Sequence, residues 1–582
     1  MKSRYSIINL LFLFLGIQIA FSQVTKQLSE NVKAIAAKYT QTLLGQHTFV
    51  FDPSMDMPEI QTLIDSLYAG QVFPTNEFSQ NRYALLFKPG TYKLDVRVGY
   101  YMHVMGLGNS PEDVVIVGAV RSNASKGHVL CNFWRTVENL TILPTDDSTN
   151  TWAVSQAAPL RRVHVKGNLR LFEGASSGGF MANCKIDGTV FSGSQQQWLT
   201  RNSVFKRWEG GVWNMMYVGV VNAPREKWPE KPVTTIRETP EVREKPYWTY
   251  SEGKFVLRIP ALKKNSIGVD WDNQIRNEKT ISIDDFYIAK PEVDNAKTIN
   301  IALKKGKHIL FTPGIYSLSE SLKVKRSGAI VIGIGMATLV PVNGNKAIEV
   351  SDVDGVTIAG LLIDAAKIPS ETLMQVGEPG SKKNHEENPT FLFDLFLRVG
   401  GPHEGSASRC LVINSNHVSA DHLWLWRADH GAGVGWDKNK GANGLIVNGK
   451  NVTIYGLFNE HFQEYQTLWN GENGRVYFYQ SEMPYDPPTA DAWRHGETNG
   501  YASYKVADQV RNHQAWGIGI YNVFYNASVI VDQAIETPPA VENGFHHKVI
   551  FWLNGNKESV VKSIINGKGG SISNSTRKAT ME

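Results

Sequence analysis

The chain has 582 residues, more than one hydrophobic core ordinarily serves, so two domains or one long solenoid are expected. Hydrophobic residues make up 42% and charged residues 20%, which excludes a disordered chain, while 51 glycines and 15 tryptophans suit short strands, many turns and ring-stacking surfaces. The formal net charge of +5 falls to +3 without Lys2 and Arg4 of an expected leader, too even to point to nucleic acid or an anionic membrane, and a neutral substrate is expected.

Lys2 and Arg4 precede an apolar stretch from Ile7 to Ala20 and then Phe21-Ser22-Gln23, the pattern of a secretory signal over residues 1–22. The stretch is interrupted by Asn9 and Gln18 and is short for a membrane span, so export to the periplasm or the medium is expected. Three distant cysteines, Cys131, Cys184 and Cys410, give no disulfide framework and no metal-ligand spacing.

The chain then repeats itself. Phe87-Lys88-Pro89-Gly90-Thr91-Tyr92 recurs as Phe311-Thr312-Pro313-Gly314-Ile315-Tyr316, each copy after a helix-like stretch and before a glycine-spaced apolar strand. Inside the first module, segments starting at Asn139, Arg161, Asn183 and Asn202 are spaced by 22, 22 and 19 residues. In the second, Gly355-Val356-Thr357-Ile358, Asn451-Val452-Thr453-Ile454 and Gly474-Arg475-Val476-Tyr477 share a pattern, the last two starting 23 apart. Short β-branched strands at this interval predict an all-β fold of two parallel β-helices, one over 23–220 and one over 295–582. Residues 221–294 carry prolines at 224, 229, 232, 240, 246 and 260, which predicts an inter-module segment packed across both. The stretch from Lys367 to Pro402, rich in Gly, Pro and charge, reads as an insertion able to close one end of a cleft.

On a β-helix, one phase of successive rungs forms a column with steps of about 4.8 Å. Asp364 follows Val356 by 8 residues, Glu460 follows Val452 by 8, and Glu482 lies 22 beyond Glu460, with Trp426 at the same phase of the preceding rung. Stacked carboxylates raise one another's pKa, which keeps a general acid protonated near neutrality; a solvated acidic surface column is the competing reading. Gln195 and Gln197 alternate onto one face, as sugar- or water-orienting amides or as a plain amide ladder. Trp208, Trp213, Trp424, Trp426, Trp469 and Tyr485 are candidate sugar-stacking surfaces. Asp429-His430-Gly431 has no second histidine at metal spacing, so no zinc site is expected.

The runs GSQQQWLTRNS (193–203), WLWRADHGAGVGW (424–436), NEHFQEYQTLWNG (459–471) and YQSEMPYDPP (479–488) resemble glycoside hydrolase family 55, the laminarin-degrading β-1,3-glucanases, from about Phe49 to about Lys548. The resemblance implies two tandem right-handed β-helices packed side by side, a glucan site in the cleft between them, attack mostly from the non-reducing end, and inversion. It implies Glu482 as general acid, Glu460 in the proton network around the attacking water, and Gln195 and Gln197 placing that water. It also implies Trp426, Asp429 and Tyr485 lining the glucose pocket, with no metal or cofactor, acting as a monomer. The family also uses a serine about one rung after its glutamines, where this chain reads Met215-Met216-Tyr217-Val218-Gly219-Val220. Two other readings compete. A β-helix polysaccharide lyase would need a basic residue and a cation for a uronate, whereas a glycan-binding β-helix would not need Glu482.

Overall fold

Each hexapeptide repeat opens a β-helix, and its Tyr and Gly explain how. The hydroxyl of Tyr92 donates to the carbonyls of Phe51 (3.1 Å) and Lys88 (2.8 Å), and that of Tyr316 donates to Ala289 (2.8 Å) and Thr312 (3.0 Å). A Cβ on Gly90 would stand 2.6 Å from Pro53, and one on Gly314 2.4 Å from Pro291, so only glycine lets the turn close on the end of the preceding strand. Ahead of the repeats lie the helices Met57–Ala69, capped by Asp56, and Ala296–Lys304, capped by Asn295. The structure, a computed structural model, describes residues 30–225, 227–272 and 277–582. The expected leader over 1–22 lies outside them. No helix among the described residues is long and apolar enough to cross a membrane.

The fold is a tandem pair of right-handed parallel β-helices packed side by side. The long sheet of the first runs in parallel order through Thr48–Phe51, Tyr83–Phe87, Met102–Gly106, Thr136–Pro144, Leu160–Val165, Phe180–Ala182, Gln197–Arg201, Asn214–Val218 and Val233–Ile236. That of the second runs through Phe286–Ala289, His308–Phe311, Ile330–Gly333, Thr357–Asp364, Thr390–Val399, Val418–Arg427, Thr453–Glu460, Gly474–Glu482, His513–Phe524 and Phe545–Gly555. A further parallel sheet, Leu322–Val324 to Ile535–Glu536, forms another wall of the second β-helix. Residues 367–402 are therefore not an inserted loop. They supply Ser370–Val376 and Thr390–Val399, whose apolar run TFLFDLFLRV is buried throughout as a rung.

Most rungs of the second long sheet bend at one left-handed residue. Gly360, Asp394, His422, Gly456, Phe478 and Gly517 have φ between +48° and +74°, and the pairing register skips each of them. In the first module the equivalent column is Asn139, Arg162, Asn183 and Asn202. The spacing expectation is thus corrected by one residue: Arg162, not Arg161, holds the bend, because Arg161 faces the second module. Gly474-Arg475-Val476-Tyr477 shifts likewise, since Thr453 pairs with Arg475, and its repeat becomes the 22 residues that the two glutamates keep.

Each β-helix has its own core. Between them the facing sheets interleave a third apolar layer, in which Trp134, Phe180 and Leu199 meet Phe396, Trp424 and Phe458. The inter-module segment adds antiparallel strands Tyr247–Ser251, Lys254–Pro260 and Glu278–Ser282, and its Trp248, Phe255 and Leu257 pack against Leu86 of the first module and Leu310 of the second. A buried ionic strip crosses the same seam. Arg161 donates to Asp394 (2.7 Å) and Asp421 (2.8 Å), Arg201 to Asp421 (2.7 Å) and Glu244 (2.6 Å), and Lys245 reaches Asp394 at 3.0 Å. Burial opposes ionisation of Asp394, but Arg161 and Lys245 outweigh it and hold its carboxyl well below the usual range.

Candidate active site

The register builds one column across six rungs of the second β-helix: Asp364, Arg398, Trp426, Glu460, Glu482 and Tyr521. One end is neutralised by the Asp364–Arg398 ion pair at 2.6 Å. Further along, two carboxylates stack with no cation between them. Glu460 is 2% exposed, which removes it from any solvated surface column. Its Oε2 accepts from Trp424 Nε1 (2.7 Å), and its Oε1 accepts from Gln156 Nε2 (3.0 Å), a residue of the first β-helix. Burial lifts its carboxyl to about 7. Glu482 is half-buried and accepts from Gln480 Nε2 (3.3 Å) and from the Tyr485 hydroxyl. Burial, and then the charges of Glu460 and Asp429, push its carboxyl well above the usual range.

The first module reaches this pair through residues that the sequence reading missed. Ser177 Oγ donates to Gln156 Oε1 (2.9 Å), and Gln197 Nε2 donates to the Ser177 carbonyl (2.7 Å). Gln197 is therefore three hydrogen bonds from Glu460, with Ser177 and Gln156 between them. Gln195 is buried and donates to the carbonyls of Val154 and Leu171 (both 3.0 Å), spanning turns of its own β-helix. The rung after Gln197 carries Asn214, which donates to Gly517. Gln156 and Ser177 stand in a glutamine-then-serine order on successive turns, an order the chain lacks after Gln195 and Gln197. Gln156 could have been found from its place in Val154-Ser155-Gln156-Ala157, one rung before Ser176-Ser177, but nothing in that stretch advertises a direction.

Asp429 lies on the loop after Val418–Arg427 and accepts from His430 Nδ1 (2.8 Å), while His430 Nε2 meets Glu77 Oε1 at 2.9 Å. Burial disfavours both charges, yet the mutual hydrogen bond holds Asp429 at about 2, and the Asp429 and Glu77 carboxylates hold His430 at about 10. Trp426 is not the open platform the sequence suggests. It is 1% exposed, with Trp424 stacked 5.3 Å away and Phe78 6.3 Å away, so it backs the cleft. Trp469 and Trp208 belong to the cores of the two β-helices. Accessible rings near Glu482 include Tyr485, half-buried, and Tyr525, 59% exposed, in edge contact at 5.6 Å, and half-buried Trp213 stacks on Tyr521 of the next rung at 5.3 Å.

Paired parallel β-helices with two stacked carboxylates in the cleft between them define a carbohydrate-active β-helix enzyme. Residues 286–482 match the family model of the LAM55 pectate lyase-like domain. Over 540 residues the chain is 43% identical to a curated exo-beta-1,3-glucanase of Streptomyces sp. (strain SirexAA-E / ActE), covering 92% of this chain and 88% of that protein. The structure of sacteLam55A from Streptomyces sp. SirexAA-E, and that of a glutamate-to-alanine variant of it in complex with glucose, each superpose with a TM-score of 0.89 at 42% identity, over 92% of this chain and 98% of theirs. The chain belongs to glycoside hydrolase family 55.

Proposed function

We propose that this chain is an exported exo-β-1,3-glucanase that releases glucose from the non-reducing end of laminarin-type glucan with inversion. The observation that carries the reading is the register-paired Glu460 and Glu482, with Glu460 held from the opposite β-helix by Gln156. Glu482 gives its proton to the glycosidic oxygen as the C1–O bond breaks. Water adds to C1 from the other face and passes a proton toward Glu460. Inverting enzymes need about 6.5–9.5 Å between acid and base to admit that water. Residues on adjacent rungs stand closer than that, so Glu460 serves best as the end of a relay through the Gln156 amide and the Ser177 hydroxyl. The Glu77–His430 bond and the packing of Phe78 on Trp426 tie the first module to the second on the Asp429 side, an arrangement that suits attack at chain ends.

Time-resolved NMR of laminarin digestion tests this: α-glucose should appear before mutarotation. Unsaturated products absorbing in the ultraviolet would make the chain a lyase, and binding without product would make it a lectin.

Two further outcomes follow from the site. The acid must be protonated to act, so kcat/KM falls as pH rises through the pKa of Glu482. Glu460→Gln removes the adjacent charge, lowers that pKa, and should move the alkaline limb to lower pH; an unmoved limb would separate the two carboxylates. Tyr525→Ala removes an exposed ring beside Tyr485 and Glu482 and should raise KM by roughly 2- to 10-fold with kcat little changed, the scale of one aromatic contact.

A further inference from the structure

Three donors of metal-binding type meet at the rim of the cleft. Glu77 comes from the loop between Val72 and Asn81, Cys131 from the turn before Thr136–Pro144, and His430 from the loop after Val418–Arg427. The carboxylate, thiol and imidazole donor atoms all lie within 4.8 Å of one another. His430 Nε2 and Glu77 Oε1 already stand 2.9 Å apart, and Asp429 holds the other imidazole nitrogen at 2.8 Å. A carboxylate on the far nitrogen of a histidine is what orients such a ring toward a metal.

We propose that Glu77, Cys131 and His430 form a site for a thiophilic divalent cation, Zn²⁺ first, that fastens the rim of the first β-helix to that of the second. Thiolate, imidazole and carboxylate suit Zn²⁺, whereas Ca²⁺ and Mg²⁺ require oxygen sets. Metal–ligand lengths of about 2.0–2.3 Å set tetrahedral ligand atoms roughly 3.3–3.6 Å apart, so His430 Nε2 and Glu77 Oε1, now 2.9 Å apart, spread slightly as the three donors, all within 4.8 Å of one another, close on the ion. The ion takes the place of the proton between His430 Nε2 and Glu77. Cys131 Sγ and His430 Nε2 each release a proton to solvent, and one position stays open to water. Linear spacing conceals the site because its ligands come from three distant segments.

Calorimetric titration of the full chain with ZnSO₄ should show one ion bound per chain, and the thermal midpoint should rise with zinc. With Co²⁺, a thiolate-to-metal charge-transfer band should appear. It can be assigned to Cys131, because Cys184 and Cys410 are fully buried. Cys131→Ala should abolish the band and weaken zinc binding by at least about 10- to 100-fold, the loss that even an outer-shell partner brings. Glu77→Gln should weaken zinc binding too, and metal-free laminarin hydrolysis by Cys131→Ala should match the parent. A parent chain that binds no zinc, or a Cys131→Ala chain that binds it unchanged, overturns the proposal.

Discussion

Glu482→Gln is expected to slow laminarin hydrolysis by about 100- to 10,000-fold, the usual contribution of a general acid. The substitution keeps the shape of the side chain and its contact with Tyr485, and removes only the transferable proton. Binding of laminari-oligosaccharides should therefore persist, read by calorimetry on the inactive variant. An activated aryl β-glucoside, whose leaving group departs without protonation, should lose far less. The pKa of Glu482, raised by its burial and by Glu460 and Asp429 nearby, is in the direction that the proposed acid role requires. Near-normal turnover of laminarin by this variant would remove Glu482 from the mechanism.

Arg161→Ala should be the most damaging change away from the chemistry. Arg161 is buried and bonds to both Asp394 and Asp421 across the seam, so its loss leaves carboxylates in the dry interface with a reduced cationic complement. Breaking a buried pair in this way costs about 3–5 kcal/mol, to be read as a shift in the urea unfolding midpoint. The change should also reach turnover. His422 meets Asp394 at 3.0 Å and the Gln156 carbonyl at 3.2 Å, and Gln156 carries the amide on Glu460. A loss below about 1 kcal/mol would mean that the apolar layer alone holds the modules together.

What the sequence discloses follows the physics of a solenoid. Strand periodicity and the duplicated hexapeptide are local, so both β-helices and the Trp426–Glu460–Glu482 column are legible before any coordinates. The failures lie where local pattern is ambiguous by one residue or where partners are distant. Arg161 and Arg162 are adjacent arginines, and only the seam decides which one faces Asp394. TFLFDLFLRV is strand-like, yet the Gly, Pro and charge on either side disguise it as part of a loop. Gln195 and Gln197 attract attention as a polar pair in a strand, but Gln156 and Ser177 reach Glu460, and nothing short of the packing of two modules could select them. Trp426 reads as a surface ring only while Phe78, some 350 residues earlier, is out of view.

The bend carried by Gly360, Asp394, His422, Gly456, Phe478 and Gly517 has an evolutionary corollary. It breaks each rung into two short stretches at a shared hinge point, and both answer to the neighbouring module: Asp421 before the bend bonds to Arg161 and Arg201, and Phe396, Trp424 and Phe458 after it enter the apolar layer between the modules. Mutations on either side of the hinge therefore meet the fit between the halves. In a lineage built on this plan the hinge positions themselves, whose left-handed backbone sets both stretches against the other module, should drift least.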